Sequence, residues 1–105
     1  MAISPTQLSL RKLREEGYFV AITEHWNSFA RIRQDLYGFI DLLAIKDGKI
    51  LAVQTTTKIN ANARVRKISE LEHIGIVREC GWTIHVHGWF KNKSNRWECK
   101  IIDVS

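Results

Sequence analysis

The 105-residue sequence contains one proline, Pro5, and two cysteines, Cys80 and Cys99. Two thiols without metal-ligand spacing exclude a disulfide framework and a cysteine-built zinc site; they suit small half-buried residues in a reducing compartment. No proline-rich linker, internal repeat or low-complexity stretch divides the chain, so residues 1–105 read as one domain. Long apolar runs are missing as well, none approaching the roughly 18–20 residues that span a bilayer. Ser4, Pro5 and Gln7 stand where a secretory signal would carry its apolar stretch, which predicts an intracellular, cytoplasmic protein with no membrane partner. Acidic residues are in deficit: 11 Asp and Glu face 16 Lys and Arg, for a net charge of +5. That excess has two readings, solubilising surface charge or a polyanionic partner such as nucleic acid. Hydrophobic residues make up 45% of the chain, enough for one packed core.

The pattern of residues predicts an α/β domain. Ser4 is an N-cap, Pro5 suits the first helical position, and Gln7 can close a capping box onto Ser4. That helix passes through Leu10 and Leu13 and stops at Gly17. Residues 18–23 (YFVAIT) form a strand of aromatic and β-branched side chains. Residues 25–38 have no clean period and read as a loop with one helical turn. Residues 39–45 (FIDLLAI) and 50–56 (ILAVQTT) are strands, apolar on both faces and therefore central. A helix is predicted from about Ala61 to Glu79, with Val65, Ile68, Leu71 or Glu72, and Gly75 or Ile76 recurring at three- to four-residue steps. Residues 82–90 and 96–104 are the last two strands. The order is helix, three strands, helix, two strands, which implies a mixed central sheet.

The Asp47-Gly48 pair between two strands is a signal for a two-residue type I′ hairpin. In that register each cross-strand pair of residue numbers sums to ninety-five, so Asp41 faces Gln54. Phe39 and Thr56 lie on the same side. Opposed Cβ atoms stand about 4.5–5.5 Å apart, close enough for a carboxylate and an amide oxygen to share one cation. A charge within apolar strands needs a partner. The partner of Asp41 is either a metal ion or the amide of Gln54 itself.

This constellation resembles the PD-(D/E)XK phosphodiesterase superfamily. It is similar above all to the compact branch of archaeal Holliday-junction resolvases and VRR-NUC domains, phage-encoded ones among them. The resemblance implies a restriction-endonuclease-like core and a metal-dependent DNA endonuclease acting on branched or structured DNA with Mg²⁺ or Mn²⁺. Gly38-Phe39-Ile40-Asp41 looks like the family's aspartate motif and makes Asp41 a metal ligand. Gln54-Thr55-Thr56 falls on the family's Glu/Gln-x-Lys motif and makes Gln54 the second ligand. Thr56 departs from it: a hydroxyl can hold a water but brings no positive charge to the transition state. Lys58, two residues on, and Lys67 or Arg64 on the next helix are the candidates to supply that charge. The family's helical acid would fall on Gln7, already explained as a cap. Glu24 and Asp35 are alternative acids, Asp35 either approaching the metal or pairing with Arg31 or Arg33. The other reading is a catalytically degenerate relative that binds DNA or a protein without cleavage.

Arg64, Arg66 and Lys67 make either a phosphate-binding cluster or a solvated helix face. Arg31 and Arg33 beside Trp26 and Phe29 form a second patch suited to phosphate contact or base stacking, unless Trp26 is core. His85 and His87 share a strand face; with His73 they would make a zinc site, and without it they are ordinary strand histidines. Of Trp82, Trp89 and Trp97, all explicable as core, one could belong to a homodimer interface.

Overall fold

The computed structural model describes residues 3–105. Helix α1 (Pro5–Glu15) starts where the Gln7 N–H donates to Ser4 Oγ at 3.2 Å. It ends before Gly17, whose φ of 93° reverses the chain without a Cβ in the way. Strand β1 (Phe19–Ile22) follows, then two short strands, β2 (His25–Asn27) and β3 (Ile32–Gln34). The remaining elements are β4 (Leu42–Lys46), β5 (Lys49–Thr57), α2 (Lys58–Ser69), α3 (Ile74–Glu79), β6 (Thr83–Lys91) and β7 (Trp97–Asp103). None of the helices among the described residues is long and apolar enough to cross a membrane.

The five longer strands form one mixed sheet in the order β1-β4-β5-β6-β7. Only β5 and β6 run parallel, joined by the α2–α3 crossover. The β4–β5 turn has Asp47 at φ 53° and Gly48 at φ 76°, the two positive angles that a type I′ turn requires. Its pairs run from Lys46–Lys49 to Leu42–Val53, all on the register expected from the Asp-Gly turn.

Both faces of the central strands are covered, which is why their sequences are apolar throughout. Leu42, Ala44, Leu51 and Val53 pack on Leu10 and Leu13 of α1. On the other face Ala52, Ile84 and Val86 meet Ala61 and Ile68 of α2 and Ile74 and Val77 of α3. Gly88 lets α2 lie directly on the sheet: a Cβ there would stand 3.0 Å from Ala61 Cβ and 3.1 Å from Lys58 Cα.

Three local expectations are corrected. Residues 25–38 contain the β2–β3 hairpin rather than a loop with a helical turn. Its turn is held by Asn27 Oδ1, which accepts from the N–H groups of Phe29 (3.0 Å) and Ala30 (3.1 Å). Trp26 lies on that hairpin and is exposed, so it is not core. The long helix is two helices, broken at residues 70–73. Ile68 and Ile74 both have to face the sheet, and their six-residue spacing is about 1.7 turns, out of phase for one continuous helix. Finally, β4 begins at Leu42; Phe39 and Ile40 are buried in the preceding turn, where Tyr37 (φ 55°) and Gly38 (φ 81°) reverse the chain.

Candidate metal centre and its cleft

Asp41 is held from both sides by backbone. Its N–H donates to the Val53 carbonyl at 2.9 Å, and its carbonyl accepts from the Thr23 N–H at 2.8 Å. Because 41 and 53 sum to one less than the strand register, the ladder slips here and β4 parts from β5. The N–H of Thr55 is thereby left without a backbone acceptor in β4, and the Asp41 carboxylate takes that place. Asp41 Oδ2 accepts from Thr55 N (2.7 Å), Thr55 Oγ1 (3.1 Å) and Gln54 Nε2 (3.2 Å). The Thr55 hydroxyl, donating to Asp41, accepts in turn from Thr6 Oγ1 of α1 at 2.8 Å.

Two more carboxylates arrive on the small hairpin. In β2–β3, His25 pairs with Gln34, so Glu24 and Asp35 flank the hairpin at its foot, one before β2 and one after β3. Oxygens of Glu24, Asp35 and Asp41 all lie within 4.8 Å of one another. Asp35 Oδ1 is buried without a hydrogen-bond partner among the described residues. Burial pushes the Asp41 carboxyl up from 3.8 to about 7; the Thr55 N–H pulls it down, and the charges of Asp35 and Glu24 push it up again. The cluster eases its repulsion either by keeping a proton on Asp41 or by taking up a cation.

These residues could hold a metal ion. Their donors are all oxygen, the choice of hard divalent cations, and opposite ligands of one Mg²⁺ stand about 4.2 Å apart. The unpartnered Asp35 oxygen is the atom a cation would satisfy. Gln54 presents its Nε2 to Asp41, and turning the amide over would present Oε1 instead.

The cluster forms part of the wall of an open cleft of about 440 Å³; neutral residues of α1 and β5, among them Thr6, Gln54 and Thr56, line much of the rest, with three cations, Arg33, Arg64 and Lys67. Arg33 Nη1 donates to Glu24 Oε1 at 3.2 Å; Arg64 and Lys67 project from α2. Of the residues singled out from sequence, Asp35, Asp41, Gln54, Thr56, Arg33, Arg64 and Lys67 line this cleft, whereas Lys58, Arg31 and Arg66 do not. Lys58 opens α2, and its Nζ sits 4.3 Å from the centroid of the Phe90 ring. Arg31 is exposed in the β2–β3 turn and Arg66 is exposed on α2.

Sequence reasoning named Glu24 only as an alternative acid and passed over Thr6 and Thr55. The hairpin register would have set Glu24 against Asp35, had β2–β3 been recognised. The three histidines do not assemble: His73 Nε2 bonds the Tyr37 carbonyl at 2.7 Å, His87 Nδ1 bonds Ser9 Oγ at 2.9 Å, and His85 lies 3.7 Å from Asp103. Glu24, Asp35 and Asp41 are the one group with metal-ligating spacing among the described residues. Comparisons with protein-family models, with curated proteins and with solved structures return no match.

Proposed function

We propose that the chain is a metal-dependent nuclease that hydrolyses DNA phosphodiester bonds in this cleft, using Mg²⁺ or Mn²⁺. The observation that carries the reading is the polarity of the cleft: three converging carboxylates on one wall, with Arg33, Arg64 and Lys67 around them. A phosphodiester needs both. The carboxylates suit a cation, and the basic side chains suit the phosphate that such a cation would also bind. Glu24, Asp35 and Asp41 would hold the ion, with Gln54 joining if its amide turns. When bound, a divalent cation supplies Lewis-acid polarisation of a phosphate oxygen and a water of lowered pKa.

The chain's own groups complete the chemistry. Lys67 and Arg64, which line the same cleft, would offset the negative charge that builds on the phosphorane-like transition state, the role that Thr56 cannot fill. Thr56 offers a hydroxyl to orient water. Thr6 and Thr55 hold the Asp41 carboxylate in its orientation.

A second reading, a DNA-binding protein of nuclease-like architecture without cleavage, is favoured by Thr56 at the motif-lysine position and by the Gln54 amide directed at Asp41. Incubation with single-stranded, duplex and four-way-junction DNA in Mg²⁺ or Mn²⁺ separates the two. The nuclease reading expects cleavage that disappears in Asp41→Ala and falls in Lys67→Ala. Binding without cleavage in either metal, unchanged by Asp41→Ala, overturns it in favour of the second.

A further inference from the structure

The β2–β3 hairpin carries more than the two acids at its foot. Trp26 and Arg33 are directly opposed across it, so their side chains leave from the same face with Cβ atoms about 4.5–5.5 Å apart. Arg33 lines the cleft, and Trp26, outside the lining itself, is its direct cross-strand neighbour. Trp26 is 61% exposed and Phe29, in the turn, is 100% exposed. Neither ring has an aromatic or cationic partner among the described residues. Two exposed rings on one short hairpin, one in β2 and one in the turn, bordered by arginines, are the kind of apolar patch with a polar rim that marks an interaction site.

Charge selects the occupant of that site. Arg31 lies in the hairpin turn, Arg33 lines the cleft beside Glu24, and Arg64 and Lys67 line it from α2, so cations border the aromatic rings and the acidic cluster alike. A flat apolar partner that arrives with negative charge along its length is a nucleic-acid base on its backbone. Duplex DNA keeps its base faces stacked on one another, and exposing one means unstacking a pair. Unpaired nucleotides present those faces freely.

We propose that the β2–β3 hairpin is a base-stacking element, with Trp26 and Phe29 taking up unpaired bases of a strand whose backbone continues along Arg33 into the cleft. The substrate class is then DNA with single-stranded or frayed nucleotides beside the phosphate at the acidic cluster. This inference rests on the reading of the cleft as a nucleic-acid site, and it does not require that the phosphate be cut.

The test is fluorescence anisotropy in EDTA with a labelled oligothymidine about 12 nucleotides long, set against a duplex of the same length. The double substitution Trp26→Ala/Phe29→Ala is expected to weaken single-strand binding about tenfold or more and duplex binding less than about twofold. Trp26→Phe is expected to retain most of the affinity, because it keeps an aromatic face. Equal losses on both DNAs, or no loss on either, overturn the proposal. So does a change from dimer to monomer in sedimentation of the double variant, which would mean that the rings seat a second copy of the chain. A hairpin effect on binding in a protein that never cleaves DNA would keep this inference and sink the nuclease reading; cleavage indifferent to Trp26 and Phe29 would do the reverse.

Discussion

Two buried polar networks reach the sheet from the same face of α1, one turn apart, and they are built on opposite terms. Ser9 belongs to a closed one. The indole N–H of Trp89 donates to Ser9 Oγ at 2.8 Å, which leaves the hydroxyl proton for Nδ1 of the neutral His87 ring at 2.9 Å. All three residues are buried. Thr6 belongs to an open one, bonding Thr55 and through it Asp41, beyond which lie Asp35, Glu24 and the cleft. The closed network runs from one buried side chain to the next, Trp89 to Ser9 to His87, without reaching the cleft. The open one retains an unpartnered carboxylate oxygen and three mutually repelling acids. Satisfied networks fix a core; unsatisfied ones mark places where something else is to bind.

Their titratable groups move in opposite senses. Asp41 is raised from 3.8 to about 7, so the folded protein holds a proton that the unfolded chain has already lost. Stability from this group is present at low pH and drains away as pH rises between those values. His87 is lowered from 6.5 to about 4, chiefly by burial, so the unfolded chain takes up its proton first. Stability from this group is present above 6.5 and drains away as pH falls towards 4. In the metal-free protein the two slopes overlap and oppose each other.

The largest effect expected from breaking this contrast is at Asp41. In urea unfolding of metal-free protein at pH 8, Asp41→Asn should raise stability by up to about 4 kcal/mol, with little change near pH 4. The variant should also uncover the slope of His87 alone, stability climbing from pH 4 to 6.5; a flat profile would mean that His87 is not held neutral. Ser9→Ala should act in the opposite direction. It strands the Trp89 N–H and His87 Nδ1 together and should lower stability by about 2–3 kcal/mol at neutral pH, measured in the same way.

Mg²⁺ or Mn²⁺ at about a hundred times its dissociation constant should stabilise the wild type by somewhat under 3 kcal/mol at pH 8. The gain should shrink at pH 5, where the ion must displace the Asp41 proton. Ser9→Ala should keep this response and Asp41→Asn should lose it; a metal response intact in Asp41→Asn would place the ion elsewhere. The smallest effect concerns the basic side. Lys67→Ala should reduce the salt dependence of DNA binding by about one unit of slope, as for a lost phosphate contact, while Lys58→Ala, its ammonium resting on Phe90, should leave it unchanged.

What could be read from the sequence follows the strength of local signals. Asp47-Gly48 admits few turn types, so one dipeptide set the register of β4 and β5 as far as Leu42–Val53; past it the expected Asp41–Gln54 pair is not a ladder pair, and the two meet through their side chains. The β2–β3 hairpin has no such dipeptide. Its strands are three residues long and its turn depends on the Asn27 side chain, so it read as loop, and the meeting of Glu24 with Asp35 went unseen. The Ser9–His87–Trp89 network joins residues almost eighty positions apart, and no periodicity announces such a contact. Within the acidic cluster, the slip of the ladder at Asp41 was equally hidden, because alternation assumes that paired strands continue.

Gly88 has a consequence for the cleft that lies outside packing. Arg64 and Lys67 ride on α2, and the height of that helix above the sheet is fixed where Gly88 meets Ala61 and Lys58. A single methyl group at position 88 would act as a shim under the first turn of the helix. The gap between the acidic cluster and the cations of α2 is thus gauged by a residue with no side chain.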